Sequence, residues 1–141
     1  MKKYKIGYTQ GTYDLFHIGH LKLLNHAKEQ CDYLIVGVNT DRLVKEYKNK
    51  EVIIPEDERL KIVESIKSVD EVILTDTLDK KELAKKIKFD VIFIGDDWIN
   101  NKRWIKTKVD MHKIGIDVVF LPYTKGISST ILREEIKNAK S

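Results

Sequence analysis

Two histidines, His17 and His20, stand three residues apart in the stretch GTYDLFHIGH, with Gly19 between them. At that spacing, at the start of a helix, two imidazoles share one face and offer N–H donors beside the unpaired amides of the first turn, which attract phosphate. Gly19 lets the backbone approach a nucleotide with no side chain in the way. Such a site would neutralise charge that grows on a phosphate during transfer. Thr12 opens the stretch, and Asp14 is expected to cap or orient the turn, or to hold a metal ion. The same residues also read as a helix cap, His17, ahead of a part-buried core residue, His20. A zinc site is disfavoured because no nearby cysteine or carboxylate completes a tetrahedral set.

A second run with chemistry in it is YTKGISSTILREEI, beginning at Tyr123. Ser128 is a natural N-cap, and Ser129 and Thr130 would sit in the first helical turn beside free N–H groups, making a second phosphate site. Between these two runs lie the acidic turn GDDW at 95–98 and the lysine-rich stretch KEYKNK at 45–50.

These residues need a frame to bring them together. Short β-branched or aromatic runs at 4–10, 32–39, 71–75, 90–95 and 117–122 read as buried strands, and helical patterns fall at about 18–30, 56–67, 79–88, 102–114 and from Ser128 onward. Alternating strands and helices imply an α/β chain with a mostly parallel five-stranded sheet and helices on both faces. Ligands of such sheets bind beyond the carboxyl ends of the strands. Four loops therefore qualify: 10–20, 39–50, 95–98 and 123–130. No linker or internal repeat interrupts the pattern, so residues 1–141 are expected to form a single domain.

Composition narrows the partners. The chain has 141 residues, 42% hydrophobic and 34% charged, which suits a globular α/β domain and excludes a disordered or fibrous one. Its 26 basic and 22 acidic residues give a net charge of +4, with lysines spread along the chain. A nucleic-acid binder concentrates its charge in a stripe, so a phosphate-rich small molecule is expected and nucleic acid is not. Cys31 is the one cysteine, which rules out an intrachain disulfide. No signal-like or membrane-spanning apolar run appears, and a cytoplasmic location without membrane contact is the default expectation.

The four letters HIGH are shared by class I aminoacyl-tRNA synthetases and small nucleotidyltransferases, and a synthetase needs far more chain than this. GTYDLFHIGH, IPEDER with Arg59, SVDEV at 68–72, GDDW at 95–98 and TKGISST at 124–130, in that order, resemble the motifs of the CTP-dependent cytidylyltransferases, in particular the small bacterial glycerol-3-phosphate cytidylyltransferases. The resemblance covers nearly the whole chain. It implies a Rossmann-like nucleotidyltransferase domain working as a homodimer, which transfers CMP from CTP to a small phosphomonoester and releases pyrophosphate. It implies that His17, His20 and Lys48 act on the triphosphate, with Lys45 and Lys50 competing for the place of Lys48. Thr12, Asp14 and Gly19 would shape the first loop. Gly95 and Asp97 would border the cytosine, and Thr124, Gly126, Ser128, Ser129 and Thr130 would hold the β and γ phosphates. Mg²⁺ would arrive on the CTP phosphates, and no metal-ligating side chains are assigned.

The chain departs from the family at the acceptor side. Tyr123 stands where the family has an arginine, Lys125 replaces an acidic residue, and Lys67 replaces a second arginine. Lysine is a point charge where arginine is a planar fork, so these exchanges are not conservative. Arg59, Lys67 and Lys125, with Tyr123 beside them, are expected to supply the acceptor's phosphate site. The alternatives to glycerol 3-phosphate are phosphocholine, phosphoethanolamine or another polyol phosphate. A cationic head group would need an aromatic cage, for which Tyr123, Trp98 and Trp104 are the candidates. Two further readings are an ATP-dependent adenylyltransferase of the same superfamily and a nucleotide sensor that has lost catalysis.

Overall fold

The five apolar runs become five parallel strands: β1 (Tyr4–Gly11), β2 (Cys31–Asn39), β3 (Glu71–Thr75), β4 (Val91–Gly95) and β5 (Asp117–Leu121). They form one sheet in the order β3-β2-β1-β4-β5. The computed structural model describes residues 2–122 and 129–139.

Six helices connect and cover the strands: α1 (Ile18–Glu29), α2 (Asp41–Lys48), α3 (Glu56–Glu64), α4 (Lys80–Lys86), α5 (Lys102–Lys113) and α6 (Ser129–Ala139). Alternation along the strands decides which helices lie on which face. Val36, Val38, Val91 and Phe93 pack with Leu24 and Ala27 of α1 and Val63 of α3. Tyr8, Ile35, Ile92 and Val118 point the other way, onto Leu83 of α4 and Trp104 and Met111 of α5. None of the helices among the described residues is long and apolar enough to cross a membrane.

The strand order reverses direction at β1. The chain first builds outward through β2 to β3, then crosses back to place β4 on the other side of β1. Connections leave β1 and β4 toward opposite faces there, which opens a crevice beyond their carboxyl ends.

One expectation needs correction. The stretch 39–50 was expected as a loop with a flexible lysine-rich end, and it is largely helix α2. Thr40 caps it by accepting a hydrogen bond from Leu43 N, Leu43 and Val44 are buried, and Asn49 closes it in the left-handed conformation (φ 53°). The charges of KEYKNK obscured this cap, apolar pair and stop. The third helix also ends at Glu64, short of 67, where Ser65 caps it.

Candidate functional site

A cavity of about 310 Å³ sits in the crevice between the ends of β1 and β4. Its walls include Thr12, His17, Gly19, His20, Lys48, Gly95 and Asp97, which come from three of the four loops singled out above. Residues 123–128, with Tyr123, Thr124, Lys125, Gly126 and Ser128, lie outside the described residues, as do the side chains of Ser129 and Thr130.

The first loop is held in a strained path. Tyr13 and Leu15 both have positive φ, 57° and 52°, which bulky residues adopt only when surrounding contacts enforce it. Asp14 between them is 1% exposed and accepts Ile53 N at 2.8 Å and Ile54 N at 2.9 Å. It is therefore a latch between the first loop and the segment before α3. It is absent from the cavity wall, so a direct contact with nucleotide or metal is replaced by a positioning role.

The histidines are set by the helix they begin. Nδ1 of His17 accepts Gly19 N at 3.0 Å, and Nδ1 of His20 accepts His17 N at 3.2 Å, a reciprocal cap built from two imidazoles. The rings stack with centroids 3.9 Å apart. A ring nitrogen that accepts a backbone N–H cannot carry a proton, so each neutral ring has its hydrogen on Nε2. Capping thus fixes the tautomer and leaves one donor per ring in the cavity wall. The capping reading and the phosphate reading of these histidines are two sides of one arrangement. Burial pushes the His20 imidazolium down to about 3, aided by His17 and Lys48 against the pull of Asp14, and burial also lowers His17. Both rings are neutral donors at pH 7.

Positive charge comes from elsewhere. Lys48, the last residue of α2, reaches the cavity, whereas Lys45 is paired with Glu51. Arg103 and Lys80 complete the cations of the described wall, and Asp97 is its carboxylate. Burial raises the Asp97 carboxyl, with Asp96 adding to the effect against a main-chain hydrogen bond. Three cations against one carboxylate favour an anionic ligand.

Arg59 and Lys67 do not stand where an acceptor could meet them. Arg59 is fully buried, and its guanidinium donates to Thr12 O (2.6 Å), Asn39 O (2.8 Å) and Ile54 O (2.8 Å) and is ion-paired with Asp41. Fully buried and engaged by three carbonyls and the Asp41 carboxylate, it ties the first loop to α2 and α3, and the acceptor-binding role expected for it is withdrawn. Lys67 is exposed and leads into the amino end of β3, the edge of the sheet opposite the cavity. Within one chain it cannot touch a ligand there.

Several cavity residues escaped the sequence reading. Gln10, at the end of β1, donates to Asn39 Oδ1 at 2.9 Å, and Asn39 donates to Thr12 Oγ1 (3.3 Å) and Tyr47 Oη (3.2 Å). This network fixes the mouth of the cavity between β1, β2 and α2. Leu78 and Lys80 arrive from the segment after β3, a fifth loop at the same sheet edge, and Arg103 arrives from α5 beside Trp104, which the sequence had offered only as a cage candidate. The rule about strand ends would have found the fifth loop, because β3 also ends there.

The cytidylyltransferase-like family model matches residues 8–135, which takes in the histidine loop, the latch, the Asp97 turn and most of α6. The chain belongs to this family. Its members named here include a glycerol-3-phosphate cytidylyltransferase of Bacillus subtilis (strain 168), 41% identical over 91% of this chain and 94% of its own. An FAD synthase of Thermococcus kodakarensis is 38% identical over 80% of this chain and 76% of its own. Among solved structures, a lipopolysaccharide core biosynthesis protein from Thermoplasma volcanium superposes with a TM-score of 0.72 at 27% identity, over 88% of this chain and 99% of that one. The protein is thus a nucleotidyltransferase of the cytidylyltransferase-like family, and the cavity beyond β1 and β4 is its candidate active site.

Proposed function

We propose that the enzyme transfers CMP from CTP to glycerol 3-phosphate, giving CDP-glycerol and pyrophosphate. The observation that carries this is the pair of histidines whose Nδ1 atoms are spent on the backbone, each leaving an Nε2–H donor in the wall of an anion-favouring cavity. The choice of cytidine and of glycerol 3-phosphate is supported by the 41% identity to the Bacillus subtilis enzyme over nearly the whole chain.

In this reading an oxygen of the acceptor phosphate attacks the α-phosphorus of CTP, and the bond to the β-phosphate breaks. The two Nε2–H groups and the Lys48 ammonium stabilise charge on the triphosphate as it moves toward the leaving pyrophosphate. No covalent nucleophile is needed, and Cys31 is buried away from the cavity. Asp97 borders the base, whose exocyclic amino group a carboxylate can accept. Among the described residues no three His, Cys, Asp or Glu side chains gather to hold an ion. Mg²⁺ would arrive on the triphosphate, where it shares the phosphate charge. Arg103 bears on the choice of acceptor. Its guanidinium lies 5.7 Å from the Trp98 ring and 5.9 Å from the Trp104 ring, so a cationic head group seeking those indoles would meet a cation already there.

The test is pyrophosphate release from CTP, ATP, GTP and UTP against a panel of phosphomonoesters. CTP with glycerol 3-phosphate should be fastest, and faster turnover with ATP would overturn the base assignment. AMP transfer from ATP stands as the second reading, favoured by the similarity to a protein named for making a flavin product with an adenylyl group. His17→Ala and His20→Ala should each lower kcat about 100-fold or more, the scale of losing one preorganised donor. Near-normal kcat in either folded variant would remove that ring from the mechanism.

A further inference from the structure

Of the three groups assigned to the triphosphate, Lys48 is the flexible one. His17 and His20 are fixed by the helix they cap, whereas a lysine ammonium rides on a long, freely turning stem. Among the described residues no ion pair holds Lys48. Its place beside the histidines must be set by other contacts, and the residue before it in α2 supplies them.

Tyr47 makes two kinds of contact. Its ring lies beneath the Lys48 ammonium, with Nζ 5.3 Å from the ring centroid, within reach of a cation–π attraction. Its hydroxyl accepts Asn39 Nδ2 at 3.2 Å and lies 3.3 Å from Thr12 Oγ1, with which it shares a hydrogen. Asn39 also donates to Thr12 Oγ1 at 3.3 Å, so the amide and the two hydroxyls close a triangle. That triangle cannot turn freely. Gln10 donates to Asn39 Oδ1 at 2.9 Å and accepts the hydroxyl of the fully buried Tyr8 at 2.9 Å, which fixes the amide's orientation from the core outward.

These contacts complete the support of the helix that presents Lys48. Arg59 ties the amino end of α2 to the first loop, through Asn39 O, Asp41 and Thr12 O. Tyr47 ties the carboxyl end to the same loop, again at Thr12. Asn49 then turns the chain in the left-handed conformation, and Asp14 of the loop takes the amides of Ile53 and Ile54. The turn that carries Lys48 is thus pinned to the histidine loop both before and after the lysine. Its charge is felt there, because Lys48 helps to hold the His20 imidazolium down. Thr12, His17, His20, Tyr47 and Lys48 all line the one cavity.

We propose that Tyr47 is the positioning residue of Lys48: its hydroxyl locks the end of α2 to Thr12 and Asn39, and its ring holds the ammonium beside the triphosphate. This deepens the nucleotidyltransferase reading above and rests on it. Tyr47 forms no covalent bond and exchanges no proton, since the reaction needs only that the ammonium be in place as charge moves to the leaving pyrophosphate. A tyrosine serves both ends. Phenylalanine would keep the ring and lose the tie, and an aliphatic residue would lose both.

The experiment is a double-mutant cycle of Tyr47→Leu and Lys48→Met, with Tyr47→Phe beside it, read by pyrophosphate release from CTP and glycerol 3-phosphate. Tyr47→Leu should lower kcat about tenfold, the combined scale of a cation–π contact and a neutral hydrogen bond. Tyr47→Phe should lower it about threefold, because its ring still faces the ammonium. With Lys48→Met already in place, Tyr47→Leu should change kcat by no more than about twofold, since the group it positions is gone. Tyr47 is 37% exposed and outside both apolar clusters, so its replacement spares the core. A side chain that served only the fold, or that touched the ligand itself, would cost the same tenfold with or without Lys48. That result, or a wild-type kcat in folded Tyr47→Leu, would overturn the assignment and leave the nucleotidyltransferase reading standing. A wild type that releases no pyrophosphate from any nucleoside triphosphate with any phosphomonoester would overturn both.

Discussion

Replacing Arg59 by methionine should unfold the protein far more readily than it should alter acceptor affinity. Methionine can fill the tunnel of the arginine stem, so the perturbation is chiefly the loss of the guanidinium. Three main-chain carbonyls, of Thr12, Asn39 and Ile54, lose donors that sit 2.6 to 2.8 Å away. A hydrogen bond to a charged group is worth about 1.5–3 kcal/mol, and three such losses would exceed the stability of many domains. Two effects offset part of this: a buried charge no longer has to be desolvated, and Asp41, 42% exposed, regains water. The net cost should be about 3–5 kcal/mol, the usual range for breaking a buried pair from one side. Urea unfolding followed by far-UV circular dichroism should show the midpoint falling with the slope unchanged. At the urea-free plateau, kcat/KM for CTP should fall as well, because the loop carrying Thr12 and the helix carrying Lys48 lose their common tie. A stable Arg59→Met protein with an unchanged midpoint and a raised acceptor KM would refute the reasoning and return Arg59 to the acceptor site.

Two further outcomes follow from the core and the histidine cap. His20 is held near 3 in the folded chain against about 6.5 unfolded, so between those values the unfolded chain binds more protons and stability falls as pH falls. From pH 7 to pH 5 this should remove about 2 kcal/mol, and His20→Gln should flatten that slope in pH-dependent urea melts. A variant with the wild-type slope would show that His20 does not titrate as its burial requires. Gly37→Ala should cost about 1–3 kcal/mol, because its Cβ would come 2.2 Å from Tyr8 Oη while that ring is pinned by stacking on Phe89, centroids 5.0 Å apart. Thermal melts compared with wild type check this, and an unshifted Tm would mean that Tyr8 can swing aside.

Strand runs, most helices and the histidine loop were legible in the sequence because they depend on neighbours along the chain. Period-two and period-3.6 patterns are local, and so is a cap made by His17 and His20. The five-strand alternation with its parallel order followed from the same local facts. Helix α2 was legible in principle, through Thr40, the Leu43–Val44 pair and Asn49, but its charges hid those signals. What the chain folds into at long range was not. Nothing in the letters around Asp14 says that its carboxylate takes the amides of residues 53 and 54, thirty-nine and forty positions on. Nothing around Arg59 says that its guanidinium is engaged by the carbonyls of three separate segments, whereas Lys80 and Arg103, from two different helices, stand in the cavity wall with no ion pair among the described residues. Whether a cation serves the fold or a ligand depends on which acceptors surround it once the strands have paired, and strand pairing at β1 and β4 joins residues more than eighty positions apart. Residue type and spacing therefore determined which chemistry this protein could do, and tertiary structure decided which of its charges are free to do it.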